Sequence, residues 1–276
     1  MDWSNRSTLS ESAKGTGYQA LATRIRAHAL RMVHRAGSSH IGGALSIADL
    51  LAVLYMGVLR VAPARPHWPD RDRFILSKGH AAAAIYATLA ERGFFPMDWL
   101  DSFYQDGSHL AGHITYGVPG VETSTGSLGH GLSVGCGMAL AGKHDGLGYR
   151  VFALLSDGEC DEGSTWEAAL FAPHHRLDNL IAIVDYNKIQ SFGTTKEVLD
   201  LEPLAGKWQA FGWAVKEIDG HDIGQIEDVL LRVPFQHKQP SCIVAHTVKG
   251  KGVSFMENQL AYHYKPPDDE QLRQAL

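Results

Sequence analysis

Cysteine, basic charge and long apolar runs are all scarce in this sequence of 276 residues. It has three cysteines and no CxxC pair, and an odd count without a disulfide framework indicates a reducing compartment. Residues 1–16 are polar and contain no apolar run, so no secretory signal is visible. The most apolar stretch, residues 44–59, is interrupted by Asp49 and is too short to span a bilayer. We therefore expect a soluble, cytoplasmic protein.

Positive charge is also in deficit. The 25 lysine and arginine residues are outnumbered by 30 aspartate and glutamate residues, which gives a formal net charge of −5. No basic field is available to bind nucleic acid or an anionic membrane, so any affinity for phosphate must be local. The sequence also has no HExxH motif and no closely spaced set of His and Cys, so nothing supports a zinc site.

The hydrophobic pattern predicts strands that alternate with helices. Each predicted strand is a short, continuous apolar run, which is typical of a parallel sheet that is buried on both faces. We expect strands at residues 73–76, 151–155, 180–184, 213–218 and 241–247. We expect helices at residues 18–35, 46–59 (with Ser46 as N-cap), 81–92, 133–143, 166–171, 204–211 and 223–232. The predicted fold is one α/β domain, a doubly wound, mainly parallel sheet with helices on both faces.

Two oxygen-bearing side chains follow neighbouring predicted strands. Asp157 lies in the turn after residues 151–155, and Asn187 follows residues 180–184. The carboxyl ends of parallel strands meet at one edge of a sheet, where ligands bind. A carboxylate and an amide there can hold Mg²⁺ with positions left open for phosphate oxygens. The turn alone is explained equally well as an acidic helix cap, but Asn187 favours a metal-diphosphate site.

Several loops add weaker signals. The GSLGHG loop at residues 126–131 is not a dinucleotide fingerprint, and the KGKG loop at residues 249–252 is not a Walker P-loop. Residues 105–135 form a long irregular segment, and such loops within compact domains are usually functional. Histidines in loops suit hydrogen bonding to sugar hydroxyls and proton transfer. These loop histidines are His40, His80, His113, His130 and His263.

Taken together, these motifs resemble the amino-terminal, diphosphate-binding domain of transketolase. The motifs that carry the resemblance are GSSHIGG (37–43), DRFILSKGH (72–80), AGH (111–113), GVETSTGSLGHG (120–131), SDGECDEG (156–163), DYNKI (185–189) and HTVKGKG followed by His263. Their shared order is more specific than any single motif. The resemblance implies a thiamine diphosphate-binding fold over residues 18–265, with an extension at 1–17 and a tail at 266–276.

The resemblance implies roles for individual residues. Asp157, Asn187 and the backbone carbonyl of Ile189 match the ligands of Mg²⁺, which Ca²⁺ or Mn²⁺ can replace. His40, His113 and His263 match catalytic histidines that line the substrate channel. The positions that match cofactor contacts are His80, Gly126, Ser127, Leu128, Gly158, Glu159, Glu162, Asn187, Lys249 and His263. Glu162 matches an acidic residue near the subunit interface.

Three positions depart from the family pattern. Ser156 replaces the first glycine of the usual GDG, and His130 stands where glutamine is common. Gly43 stands where a hydroxyl residue often touches the diphosphate, so we expect that contact to be lost. The metal ligands are intact.

The resemblance also implies a partner. In transketolase a second, pyrimidine-binding domain follows the first, whereas the last matched motif here lies shortly before Leu276. We expect one subunit of a split enzyme, assembled as two copies of each chain, that transfers a two-carbon ketol unit between sugar phosphates. Pentose phosphates are the default substrates, and a split transketolase could instead serve a sulfosugar, branched-sugar or secondary-metabolite pathway. The alternatives are a subunit of a 1-deoxyxylulose-5-phosphate synthase-like or dehydrogenase E1-like enzyme, or a non-catalytic cofactor-binding subunit.

Overall fold

A five-stranded, wholly parallel sheet forms the centre of the molecule, in the order β1-β2-β3-β5-β4. The computed structural model describes residues 11–276, so most of the predicted N-terminal extension lies outside the described residues. The strands are β1 (Arg73–Leu76), β2 (Val151–Ser156), β3 (Leu180–Tyr186), β4 (Ala214–Asp219) and β5 (Ser241–His246). The predicted α/β class and all five predicted strands are confirmed.

The central strands are buried on both faces because they are continuous apolar runs up to Ser156 of β2 and Asp185 of β3. Every residue of β2 and β3 is buried. Phe152 and Leu154 of β2 face one hydrophobic core, while Val151, Ala153 and Leu155 face the other. This alternation follows from the two-residue period of a strand. Helices therefore cover both faces, as the sequence predicts.

Ten α-helices surround the sheet in the described part of the chain. They are α1 (Glu11–Ala36), α2 (Ile41–Ser46), α3 (Ala48–Val53), α4 (Ala82–Glu91), α5 (Gly131–His144), α6 (Gly163–His174), α7 (Thr195–Val198), α8 (Leu204–Ala210), α9 (Ile223–Leu231) and α10 (Asp269–Ala275). None of the helices described combines the length and the hydropathy that crossing a bilayer requires.

The prediction of one helix that starts at a Ser46 N-cap was wrong. Ser46 is instead the last residue of α2, and α3 and a π-helical turn at Leu54–Val58 follow. The Ser46 hydroxyl has two acceptors within reach of its single proton, the Gly43 carbonyl and Asp185, so its hydrogen bonding is satisfied inside the protein. Glycines disfavour helix formation, so the sequence pattern did not predict α2. In the structure this segment is completely buried, and that burial outweighs the preference.

The predicted polar tail contains a helix. Asp268 caps α10 and forms a capping box with Gln271. The Pro267 carbonyl bonds to the His34 ring at 2.9 Å, which ties the tail to α1. The domain boundaries proposed from the sequence stay a prediction.

Candidate functional site

A polar cavity lies beyond the carboxyl ends of β1, β2, β3 and β5, where ligands of parallel α/β sheets bind. Most of the predicted site residues line it, although they come from distant parts of the chain. These are His40, His80, His113, Gly126, Leu128, Asp157, Gly158, Asn187, Ile189, Lys249 and His263. The sequence motifs therefore converge on one site.

The Asp157 carboxylate is buried, and no cationic side chain within the described part of the chain is bonded to it. Its two oxygens accept hydrogen bonds from the backbone N–H groups of Gly158 at 2.7 Å and Lys188 at 2.6 Å. Burial and the nearby charge of Asp185 raise the pKa of Asp157 to about 7. A divalent cation would relieve this unfavourable ionisation, so the carboxylate fits a metal ligand.

The neighbouring groups complete an oxygen-rich donor set. The Asn187 amide donates to Asp185 at 2.9 Å, which fixes its orientation, and its oxygen accepts from the Ile189 N–H at 3.2 Å. No group of three His, Cys, Asp or Glu residues capable of holding a metal occurs among the described residues. A cation here would therefore depend on one carboxylate, an amide oxygen, a backbone carbonyl and oxygens of a ligand, which suits Mg²⁺ bound with a phosphate.

Lys249 supplies the positive charge beside this donor set. Its ammonium group donates to the Ile189 carbonyl at 2.8 Å and lies 2.8 Å from Nδ1 of His263. Burial lowers the pKa of Lys249 to about 8, although the charge of Asp157 opposes that shift. A buried lysine of this kind is well placed to meet an anionic ligand.

Four histidines surround the mouth of the cavity. The His40 ring centroid lies 5.0 Å from that of His80, 5.2 Å from that of His263 and 6.0 Å from that of His113. Burial, together with nearby lysines and histidines, lowers the pKa of His40 to about 4 and that of His263 to about 3. Burial also holds the pKa of His80 well below its ordinary value.

Neutral imidazoles suit the chemistry of sugar hydroxyls. At neutral pH the rings of His40, His80 and His263 are uncharged, so each can donate one hydrogen bond and accept another. His40 is also held in a left-handed backbone conformation with φ 74°, and its N–H donates to the His263 carbonyl at 2.8 Å. Residues held in this region cluster at functional sites.

Two glycines allow the loop at residues 111–126 to lie against the end of β1. Gly126 has φ +152°, and a Cβ at this position would lie 2.7 Å from Cδ2 of His113. A Cβ on Gly79 would collide with the backbone of Thr125. Close backbone approach therefore brings His113 to the cavity.

Ser127, Glu159 and Glu162 do not line the cavity, although the sequence assigns them to the cofactor. Glu159 is fully buried and accepts hydrogen bonds from the Ser77 hydroxyl at 2.5 Å and the Gly129 N–H at 2.9 Å. It thus anchors the GSLGHG loop from beneath. The Ser127 carbonyl bonds to the ring of His130, and Glu162 is exposed at the start of α6.

The sequence patterns did not indicate a buried ion pair at the wall of the cavity, which Lys78 lines. Lys78 and Asp185 are almost completely inaccessible, and the Lys78 ammonium lies 2.5 Å from Asp185 Oδ2. Asp185 also accepts from Ser46, Asn187 and Thr247. One signal could have identified the pair, because a charged residue at the end of an apolar strand needs a partner.

The comparisons with known proteins agree with this geometry. A family model described as "Transketolase, thiamine diphosphate binding domain" matches residues 18–276. One subunit of the apulose-4-phosphate transketolase from Phocaeicola vulgatus is 44% identical, over 91% of this chain and 89% of that protein. One subunit of the 6-deoxy-6-sulfo-D-fructose transketolase from Clostridium sp. is also 44% identical, over 94% of each chain.

Solved structures show the same fold. The transketolase from Campylobacter jejuni superposes with a TM-score of 0.90 at 32% identity, over 94% of this chain. The present chain spans only 42% of the length of that transketolase. The match to the family over residues 18–276, at this level of identity and structural likeness, shows that the chain belongs to the transketolase family and carries its thiamine diphosphate-binding domain.

Proposed function

We propose that the chain is the diphosphate-binding subunit of a two-chain transketolase that transfers a two-carbon ketol unit from a ketose phosphate to an aldose acceptor. The observation that carries the proposal is the cavity itself. It combines an oxygen donor set for a cation, a buried lysine for a diphosphate and a ring of histidines for a sugar. A non-catalytic cofactor-binding subunit would not need the last of these.

The cofactor would be held by the chain's own polar groups. Asp157, Asn187 and the Ile189 carbonyl would hold Mg²⁺, while His80 and Lys249 would contact the diphosphate. Thiamine diphosphate supplies, when bound, a carbon nucleophile that can cleave the bond beside a ketone. The protein's task is then to orient this nucleophile, exclude water and manage protons.

The histidines would manage those protons. His40, His113 and His263 would hydrogen-bond to the hydroxyls of the donor sugar and move a proton at the hydroxyl next to the cleaved bond. Neutral rings are required for accepting that proton, and the depressed pKa values of His40 and His263 satisfy this condition. An enzyme that decarboxylates pyruvate has less need of histidines that bind sugar hydroxyls. Formation of product from pyruvate would therefore contradict our proposal.

A second chain with the pyrimidine-binding domain completes this proposal. Both relatives are named as transketolase subunits, and the chain covers most of their length. Large apolar side chains are exposed near the cavity, including Phe192, Tyr116 and Tyr264. Exposed apolar patches commonly mark protein interfaces. We propose two copies of each chain, located in the cytoplasm.

The substrate belongs to the same proposal. The names of the relatives refer to apulose-4-phosphate and to 6-deoxy-6-sulfo-D-fructose, and the sequence alone leaves branched sugars and sulfosugars open beside the default pentose phosphates. A donor screen should therefore contain branched and sulfonated ketoses as well as pentose phosphates.

Replacing Asp157 with alanine tests the metal assignment. We expect at least a hundredfold weaker binding of thiamine diphosphate in Mg²⁺, because even partners of metal ligands typically contribute about 10–100-fold. Calorimetry on the chain purified with its partner would measure this. Asp145→Ala, which removes an exposed carboxylate, is the matched control. Equal affinity of Asp157→Ala and wild type would refute the assignment.

His113→Ala tests the division of labour within the cavity. We expect it to reduce turnover more than cofactor affinity, because His113 faces the sugar in this proposal. A larger loss of cofactor affinity than of turnover would instead place His113 at the diphosphate.

A further inference from the structure

Three side chains outside the cavity form a connected group that the proposed chemistry does not use. Arg26 of α1 donates to both carboxylate oxygens of Asp49 in α3, at 3.1 and 2.6 Å. Asp49 Oδ2 lies 2.7 Å from Nδ1 of His221, which follows β4. Nε2 of His221 lies 2.9 Å from the backbone N of Val248. The group thus joins two helices to the segment that follows β5.

The hydrogen bonds assign the tautomer of His221. A backbone N–H can only donate, so Nε2 of His221 must be the unprotonated acceptor. The proton therefore lies on Nδ1, which donates to the Asp49 carboxylate. Asp49 is in turn oriented by the guanidinium of Arg26, and this bidentate geometry fixes the carboxylate plane.

The segment that bonds to His221 carries Lys249. Val248 immediately precedes Lys249, whose ammonium group reaches the Ile189 carbonyl and His263. Other supports of the segment include backbone bonds, from Gly250 N–H to the Gly42 carbonyl and from Asn258 N–H to the Lys249 carbonyl. His221 is the side chain that accepts from the Val248 N–H and so holds the Thr247–Val248 peptide group, one residue before Lys249.

We propose that His221, oriented by Asp49 and Arg26, is a positioning residue that holds Lys249 in place at the candidate diphosphate site. The part of this inference that concerns the cofactor rests on the function proposed above. His221 itself does not line the cavity, so it acts through the backbone and not by contact with the ligand.

Two conservative variants separate this role from a merely structural one. In His221→Gln the side-chain oxygen can replace Nε2 and accept from Val248, while the bond to Asp49 is lost. In His221→Asn the amide N–H can replace Nδ1 and donate to Asp49, while the bond to Val248 is lost. If support of Val248 is what matters, His221→Asn is harmful and His221→Gln is tolerated. If only the link to Asp49 matters, the order is reversed.

The first readout is amide hydrogen exchange at Val248, measured by NMR on the full chain without cofactor. A hydrogen-bonded amide is protected until the bond opens. We expect His221→Asn to speed exchange by about tenfold, the upper range for one hydrogen bond, and His221→Gln to stay near wild type. Equal exchange in wild type and His221→Asn would overturn the proposal.

The second readout is the affinity for thiamine diphosphate in Mg²⁺. We expect the same order, with His221→Asn about tenfold weaker than wild type. If wild type binds no cofactor, the proposed function fails, and the exchange rates alone decide the positioning role. If His221→Asn does not fold, the nitrogen NMR signals of the wild-type imidazole decide it, because a protonated Nε2 would overturn the proposal and a protonated Nδ1 would support it.

Discussion

Replacing Lys78 with methionine is expected to destabilise the fold by about 3–5 kcal/mol, the usual cost of leaving a buried charge without its partner. The change keeps an unbranched apolar stem of similar length and removes the ammonium group. That group donates to Asp185 at 2.5 Å and to the Gly43 carbonyl at 2.9 Å. The side chains of Lys78 and Asp185 are 1% and 0% exposed, so water cannot compensate for the loss.

The environment of Asp185 sets the size of this effect. Three uncharged donors, Ser46, Asn187 and Thr247, remain bonded to its carboxylate after the change. They limit the penalty but supply no opposite charge. For a chain of this length the expected loss corresponds to a fall of roughly 10 °C in melting temperature. Urea unfolding at fixed protein concentration would measure it, because assembly also contributes to apparent stability.

A partly exposed ion pair provides the matched control. Lys143 and Asp178 lie 2.6 Å apart, but the side chain of Lys143 is 35% exposed. Lys143→Met should therefore cost no more than about 1 kcal/mol. The double variant Lys78→Met/Asp185→Asn should be more stable than Lys78→Met alone, because it removes the unpaired charge. A loss below about 1 kcal/mol for Lys78→Met would show that the unpaired Asp185 carboxylate carries no such cost.

The buried Asp72 carboxylate and two glycines at the cavity, Gly43 and Gly126, allow three further tests. Burial raises the pKa of Asp72, but hydrogen bonds from Arg150 and Arg60 outweigh it and hold that pKa below its ordinary value. The stabilisation is therefore present above the ordinary carboxyl range and is lost as the pH falls through the folded-state pKa. In urea titrations the stability difference between wild type and Asp72→Asn should shrink on acidification. A constant difference would contradict this. Gly43→Ser has room for its Cβ, which would lie 3.6 Å from Lys78 Nζ and 4.0 Å from His80 Nε2. Calorimetry should show that this variant binds thiamine diphosphate more tightly. Weaker binding would count against the assigned diphosphate position. Gly126→Ala should weaken cofactor binding by about tenfold or more, because its φ is +152° and the added methyl group meets the packed imidazole; wild-type affinity would show that the loop can shift.

The sheet could be predicted because its strands have a simple hydrophobic pattern. β2 and β3 are continuous apolar runs bounded by turns, and this pattern leaves little choice but a buried parallel strand. Asp157 and Asn187 could be placed from the same information, because each directly follows one of these strands. The order of the motifs along the chain then indicates the family.

The residue pairs that lie behind the site could not be predicted in the same way. Lys78 and Asp185 are 107 residues apart, and only the pairing of β1, β2 and β3 brings their strand ends together. His221 and Asp49 are 172 residues apart and meet for the same kind of reason. No local period or motif contains such a contact.

Helix α2 and the capped helix α10 illustrate two different causes of error. In α2 the local preference of two glycines is overruled by tertiary burial, which a sequence window does not contain. For α10 the signal was present, since Asp268 and Gln271 have the spacing of a capping box, but the polar composition of the segment concealed it.

We propose above that this chain supplies the diphosphate-binding half of a two-chain transketolase. The most direct test is to measure transfer of a two-carbon unit from ketose phosphates with the purified chain alone and with the chain that co-purifies with it, both with thiamine diphosphate and Mg²⁺. We predict no turnover for the chain alone and full turnover after an equimolar second chain is added. Turnover by the chain alone at the rate of the complex would contradict the claim.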